Sequence, residues 1–168
     1  MPSNDPIYVA VCGPDPVASP DVEGEAREIG RLIADMGAIL VCGGLGGVMD
    51  AAARGCAAGG GISIGILPSA QRTGASPALT YSVPTGIGEM RNALIVRAAD
   101  AVIAVSGEFG TLSEIAFALK TGVPVVGLRT WGLVRDGVPV DAFVTVDSPE
   151  QAVGEAIRLA RERRAESG

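Results

Sequence analysis

Two glycine-rich turns carry the clearest chemistry in this sequence: Gly43-Gly44-Leu45-Gly46-Gly47 and Ser106-Gly107-Glu108-Phe109-Gly110-Thr111. Each follows a short apolar run and opens a stretch with helical spacing. Glycine at such a place lets backbone approach a ligand closely. The start of a helix adds unsatisfied N–H groups and the positive end of its dipole, a combination that suits an anion and phosphate above all. The first turn is not a P-loop, because no Gly-Lys-Ser/Thr follows, and it lacks the third glycine of the dinucleotide fingerprint. The second turn adds the hydroxyl of Thr111 at the helix start and the carboxylate of Glu108. Two helix starts of this kind can converge on one ligand.

Two charged side chains lie close in sequence to the second turn. Glu114 sits one turn into the helix that opens at Thr111, and helical side chains lean toward the N-terminus, so its carboxylate reaches the mouth of a pocket there. Thr111-x-x-Glu114 also spells a capping box, in which Glu114 only satisfies a backbone N–H, and residue type and spacing alone favour that structural role. Arg91 begins the preceding helix, where a positive charge is unfavourable by roughly a few tenths of a kcal/mol. A ligand phosphate or carboxylate would explain it, and so would a surface pair with Glu89. The chain has no histidine. Ser-His-Asp and Cys-His nucleophile schemes and His-containing zinc sites are therefore excluded, and any catalysis rests on carboxylates, arginine or backbone groups.

The elements that must position these groups alternate. Strands are expected over 7–12, 38–42, 62–67, 101–105, 123–128 and 143–146, with a weaker one over 79–83. Helices are expected over 21–36, 48–58, 89–98, from 111 onward, and from 149, where Ser148-Pro149-Glu150-Gln151 supplies a cap, a proline at the first position and a reciprocal glutamine. Asp136-Gly137 marks a loop or small hairpin. Strands alternating with helices predict a single Rossmann-like α/β domain spanning 1–168: a doubly wound, mainly parallel sheet with helices on both faces, binding ligand beyond the strand carboxyl ends.

Composition agrees. The chain is 48% hydrophobic but only 4% aromatic, so its core must be aliphatic, as in a sheet covered by close-packed helices. Cys12, Cys42 and Cys56 form no C-x-x-C pair and read as small buried hydrophobes. A net charge of -6 opposes a nucleic-acid partner. No segment approaches the roughly 18 apolar residues of a membrane span. The N-terminal Met-Pro-Ser-Asn-Asp-Pro lacks the order of an export signal, so a cytoplasmic protein without a membrane partner is expected.

Taken together, Gly43-Gly44-Leu45-Gly46-Gly47-Val48-Met49, Arg91-Asn92 and Gly107-Glu108-Phe109-Gly110-Thr111-Leu112-Ser113-Glu114 resemble a known Rossmann-like superfamily. It includes the cytokinin-activating phosphoribohydrolases called LOG, long mislabelled lysine decarboxylases, and the DNA-processing protein DprA/Smf. The resemblance implies that Arg91 and Glu114 are catalytic, cleaving the N-glycosidic bond of a nucleoside 5′-monophosphate. It implies ligand contacts at Gly43, Gly44, Gly46, Gly47, Met49, Asn92, Ser106, Gly107, Glu108, Gly110 and Thr111. LOG proteins carry Pro-Gly-Gly where this chain has Ser106-Gly107-Glu108, and Arg-Lys where it has Arg91-Asn92. In both respects the chain is more similar to a sister group that includes the molybdenum-cofactor carrier proteins, which bind a phosphorylated pterin without altering it. The partner implied is thus a small phosphorylated nucleotide or pterin, turned over or only carried. No cofactor is required, although Glu108 offers a carboxylate for a magnesium ion. Both groups of relatives imply a homodimer or homotetramer. Lysine decarboxylation is rejected, because no pyridoxal-phosphate site is recognisable and the only lysine, Lys120, is far in sequence from both turns.

Overall fold

The structure is a computed structural model and describes residues 5–167. Residues 1–4, which open the stretch read above for an export signal, lie outside the described residues. The strands are β1 (Tyr8–Cys12), β2 (Ile39–Cys42), β3 (Ile62–Leu67), β4 (Tyr81–Pro84), β5 (Ala101–Val105), β6 (Val125–Leu128), β7 (Leu133–Arg135), β8 (Val138–Val140) and β9 (Val144–Val146). The helices are α1 (Pro20–Asp35), α2 (Gly47–Ala58), α3 (Asn92–Arg97), α4 (Phe109–Thr121) and α5 (Pro149–Ser167), with a 3₁₀ turn at Gly88–Arg91.

Seven strands form one sheet in the order β4-β3-β2-β1-β5-β6-β9, and every pairing is parallel. Parallel strands buried on both faces need apolar residues throughout, and β5, Ala-Val-Ile-Ala-Val, is buried along its whole length. On one face lie α1, α2 and α5, with Ile29, Ile33, Val48 and Ile157 packed against Val9, Val11 and Ile103. On the other lie α3 and α4, with Ile95, Val96 and Ile115 against Ala10, Val102 and Ala104. The doubly wound fold predicted from the alternation is the fold observed. Among the described residues no helix is long and apolar enough to cross a membrane.

From β1 the chain winds outward through β2, β3 and β4, then crosses back to β5 on the other side of β1. The crevice at this reversal lies above the carboxyl ends of β1 and β5, where ligands bind in such sheets. The other ends of the same two strands are tied together. Asp100 accepts the Tyr8 N–H at 2.9 Å and two bonds from Arg164 of α5 at 3.0 and 2.6 Å.

Several boundaries differ from expectation, each for a local reason. The helix expected over 89–98 divides into the 3₁₀ turn and α3, so Arg91 both closes the turn and stands as the N-cap residue of α3. The edge strand β4 runs to Pro84, which an edge tolerates because a missing N–H there breaks no ladder. Most consequentially, α4 begins at Phe109, with Glu108 as its N-cap residue, so Thr111 is the third helical residue. The capping box read from Thr111 and Glu114 therefore does not form. At α5 the Ser148 cap does form, the Gln151 N–H donating to Ser148 Oγ, while Gln151 Oε1 reaches back one residue beyond the cap to accept from the Asp147 N–H.

Helices α1 and α2 touch backbone to backbone. A Cβ on Gly30 would run into the carbonyl oxygen of Ala52, and one on Gly55 into that of Arg27. This close approach sets the position of α2, and hence of the glycine turn at its start. Gly30→Ala should cost about 2–3 kcal/mol of stability through forced separation of the two helices, measured by urea denaturation. An unchanged midpoint would show that the helices have room to part.

Candidate functional site

Arg91 ends the 3₁₀ turn, and its guanidinium lies against Gly43, just after β2. The residue is only 8% exposed, and its Nε is buried without a hydrogen-bond partner. Among the described residues it forms no ion pair, so the surface pair with Glu89 is not made. Room for the guanidinium comes from Gly43, where a Cβ would run into Nη1 of Arg91 and, at 2.5 Å, into Sδ of Met49. Burial lowers the affinity of this guanidinium for its proton, partly offset by the charge of Glu114.

Glu114 projects inward from the second turn of α4 and is 6% exposed. Burial raises its pKa from 4.5 to about 7, against the opposing pull of the Cys12 thiol and the Arg91 charge. Cys12, at the end of β1, is driven the other way from reactivity: burial, then the adjacent Glu114 carboxylate, raise its thiol well above the ordinary range. It is a neutral floor to the site and not a nucleophile.

These groups line a cleft of about 560 Å³ at the end of β1 and beside Gly43 after β2, walled by Met90 and Phe109 and closed at one end by the start of α4. That start is open. Glu108 makes no side-chain cap, so the N–H groups of Phe109, Gly110 and Thr111 keep the free donors intrinsic to a first helical turn. Asn92 braces it: its Nδ2 donates to Ser113 Oγ at 3.1 Å, and Ser113 Oγ donates to the Gly110 carbonyl at 2.6 Å. A cationic guanidinium, a carboxyl that is largely neutral below pH 7 and the open helix start make this a place for an anion.

The predicted residues divide between two places. Gly43, Met49, Arg91, Asn92, Gly110, Thr111 and Glu114 meet in the cleft. Gly44, Gly46 and Gly47 do not line it. Gly44 lies against Gly65 and Leu67, and Gly47 against Pro14 and Asp15. The Gly46 N–H already donates to Asp15 Oδ2 at 3.1 Å and the Val48 N–H to the Pro14 carbonyl at 3.0 Å, so the chain itself occupies the start of α2. Ser106 and Gly107 line a separate cavity at the end of β6. Glu108 is exposed, and among the described residues no group of three or more carboxylates or thiols stands close enough to hold a metal ion. Cys12, Gly13, Met90, Phe109 and Ser113 also line the cleft and were missed. The rule that ligands sit at the reversal of strand order would have pointed to Cys12 and Gly13, but strand order is invisible in the sequence.

Residues 6–155 match the SLOG cluster4 family. The chain belongs to that family. A protein of Archaeoglobus fulgidus is 39% identical over 132 residues, 79% of this chain and 83% of its own. The molybdenum cofactor binding protein of the phototrophic bacterium Rippkaea orientalis superposes with a TM-score of 0.85 at 33% identity, covering 94% of this chain and 99% of that one. The molybdenum cofactor carrier protein of Chlamydomonas reinhardtii gives 0.82 at 29% identity with the same coverage. DNA processing protein A of Helicobacter pylori shares the fold at a TM-score of 0.70 and 19% identity, over 91% of this chain and 81% of that one. The SLOG cluster4 chain thus stands within the superfamily its motifs resemble.

Because the native pKa of Glu114 lies above its unfolded value, the folded state binds the extra proton. Its contribution to stability is complete below pH 4.5 and is lost as the pH rises to and through 7. Relative to Glu114→Gln, the wild type should lose about 3 kcal/mol across that window in urea denaturation at stepped pH. A difference independent of pH would show that the carboxyl is not desolvated.

Proposed function

We propose that this protein is a carrier that holds a phosphorylated pterin or nucleotide-like ligand, molybdenum cofactor foremost, without altering it. The observation that carries this reading is the Arg91 guanidinium, buried, unpaired and placed beside the open start of α4. A phosphate there would accept from Arg91 and from the amides of Gly110 and Thr111, supplying the charge that the buried cation lacks. Protonated Glu114 would add a donor, and Met49, Met90 and Phe109 an apolar wall for the body of the ligand. No step requires bond making; retention and release follow from solvation and charge alone. The likeness to proteins described as molybdenum cofactor binding and carrier proteins supports the same ligand class.

A second reading rests on Glu114. A carboxyl with a pKa of about 7 beside an arginine is suited to move a proton or position water at a glycosidic bond near neutral pH. On that reading Arg91 holds the phosphate of a nucleoside 5′-monophosphate and Glu114 acts at the anomeric carbon, giving free base and ribose 5-phosphate. Magnesium at Glu108 forms no part of either reading.

The copies are proposed to associate as a homodimer or homotetramer. The edge strand and the segment after it leave Tyr81, Val83, Ile87, Met90 and Leu94 exposed. Light scattering of the purified chain tests this directly.

The function is tested by purifying the protein from cells that make molybdenum cofactor and measuring bound molybdenum together with the fluorescent oxidised pterin. Both should co-purify with the wild type. Arg91→Ala, and Gly43→Ala, whose methyl displaces the guanidinium, should each retain at least about tenfold less. A wild type that neither retains nor takes up the cofactor, but releases adenine from AMP in a manner lost in Glu114→Ala, would replace the carrier with the hydrolase.

A further inference from the structure

The groups proposed above to hold the phosphate stand on different elements. Arg91 closes the 3₁₀ turn and leads directly into α3, whereas the amides of Gly110 and Thr111 belong to the first turn of α4. Donors on two elements serve one anion well only if they are already in register, since ordering them on binding costs affinity. The sequence of that first turn fixes it weakly. Its N-cap residue, Glu108, makes no side-chain hydrogen bond, and glycine at 107 and 110 leaves the backbone freer than other residues would. A Cβ on Gly110 would meet nothing within 4 Å, so no neighbour packs on the helix start there.

Two grips from outside the helix compensate. On one side Trp131 donates from Nε1 to the Glu108 carbonyl at 3.3 Å, and its ring centroid lies 5.7 Å from that of Phe109. On the other side Asn92 Nδ2 donates to Ser113 Oγ, whose own proton goes to the Gly110 carbonyl. A helical serine that donates to the carbonyl three residues back keeps its lone pairs for a second partner, and Asn92 takes that place. Among the described residues this is the one side-chain hydrogen bond between α3 and α4. Asn92 is the residue next to Arg91, so the bonds run from the backbone that carries the guanidinium to the glycine at the helix start. Both side chains line the cleft, where water competes for their bonds and a seated ligand would cover and strengthen them.

From this we infer that Asn92 and Ser113 are positioning residues for the anion: acting as one unit through their shared hydrogen bond, they hold the first turn of α4 in register with Arg91. The inference rests on the phosphate-binding reading above. It gives Asn92 a part different from the direct ligand contact that the family resemblance implies, and it gives Ser113 a part where the resemblance implies none.

The probes are inorganic phosphate and ribose 5-phosphate, titrated by calorimetry against wild type, Asn92→Ala, Ser113→Ala, the double variant and Ser113→Thr. Each alanine variant should weaken both probes by the same factor, about fivefold, which is what one hydrogen bond is worth. The melting temperature should stay within about 3 °C of wild type, because the bonds removed are exposed. The double variant should bind no more weakly than either single one, and Ser113→Thr, which keeps the hydroxyl, should bind as wild type does. Losses that multiply in the double variant would show two separate contacts and overturn the inference. So would unchanged affinity in either alanine variant, a Ser113→Thr variant as weak as Ser113→Ala, or a melting temperature that falls in step with affinity. Weakening confined to ribose 5-phosphate would overturn it too, by placing the side chains against the body of the ligand. In each of these cases the phosphate reading stands. Failure of wild type to bind either probe would overturn that reading and this inference with it.

Discussion

The Arg91 guanidinium is taken out of water at the floor of the cleft with its Nε unpaired, and much of the surrounding architecture answers to that cost. Removing an ion from water costs several kcal/mol in a real protein unless charge or hydrogen bonds compensate. Glu114 compensates only in part, because its own burial keeps its carboxyl largely protonated below neutrality. The site thus retains net positive character in a place of low polarizability, where an incoming anion is attracted far more strongly than it would be at a surface. On the reading proposed above, the binding site for phosphate and this uncompensated charge are the same physical object.

Glycine makes that balance possible in two distinct ways. At Gly43 and Gly107 the missing side chain leaves room for other groups: the guanidinium of Arg91 in one case, the side chains of Trp131 and Thr130 in the other. At Gly30, Gly55, Gly44 and Gly47 it lets backbone segments close on one another, so that α2 and its leading turn are held firmly against α1, β3 and the 13–16 loop. The second use explains why three of the four glycines of the first turn are absent from the cleft. Its anion-binding capacity is already consumed by Asp15 and the Pro14 carbonyl.

A carrier and a glycosidic hydrolase ask much the same of this cleft up to the moment of bond cleavage. Both need a phosphate anchor and a shaped place for a ring. They diverge at Glu114, which for a carrier is a donor of one hydrogen bond and for a hydrolase must exchange a proton or hold water at the anomeric carbon. The family to which the chain belongs has structural neighbours described as cofactor carriers, and the replacement of two glycine-motif positions by Ser106 and Glu108 sets it apart from the LOG pattern on the same strand end.

Fold class was legible in the sequence because parallel sheets demand continuous apolar strands, and the alternation of such runs with helical spacing leaves few other arrangements. The residue types at Arg91, Glu114 and the second glycine turn were legible for the same local reason: charge at a helix start and glycine after a strand are visible one element at a time. What the sequence could not show was any property set by neighbours distant along the chain. Whether Thr111 caps a helix depended on α4 starting two residues earlier, and once it did, Glu114 was free to turn inward. Whether Arg91 paired with Glu89 depended on the space left for it by Gly43, 48 positions earlier in the chain. The two glycine turns look equivalent as local signals, and only packing decided that one would be filled by the protein's own Asp15 while the other stayed open. Local chemistry is encoded by residue type and spacing, whereas burial, pairing and the vacancy of a site are properties of the whole assembly of elements, fixed only when the sheet order brings β1, β2 and β5 side by side.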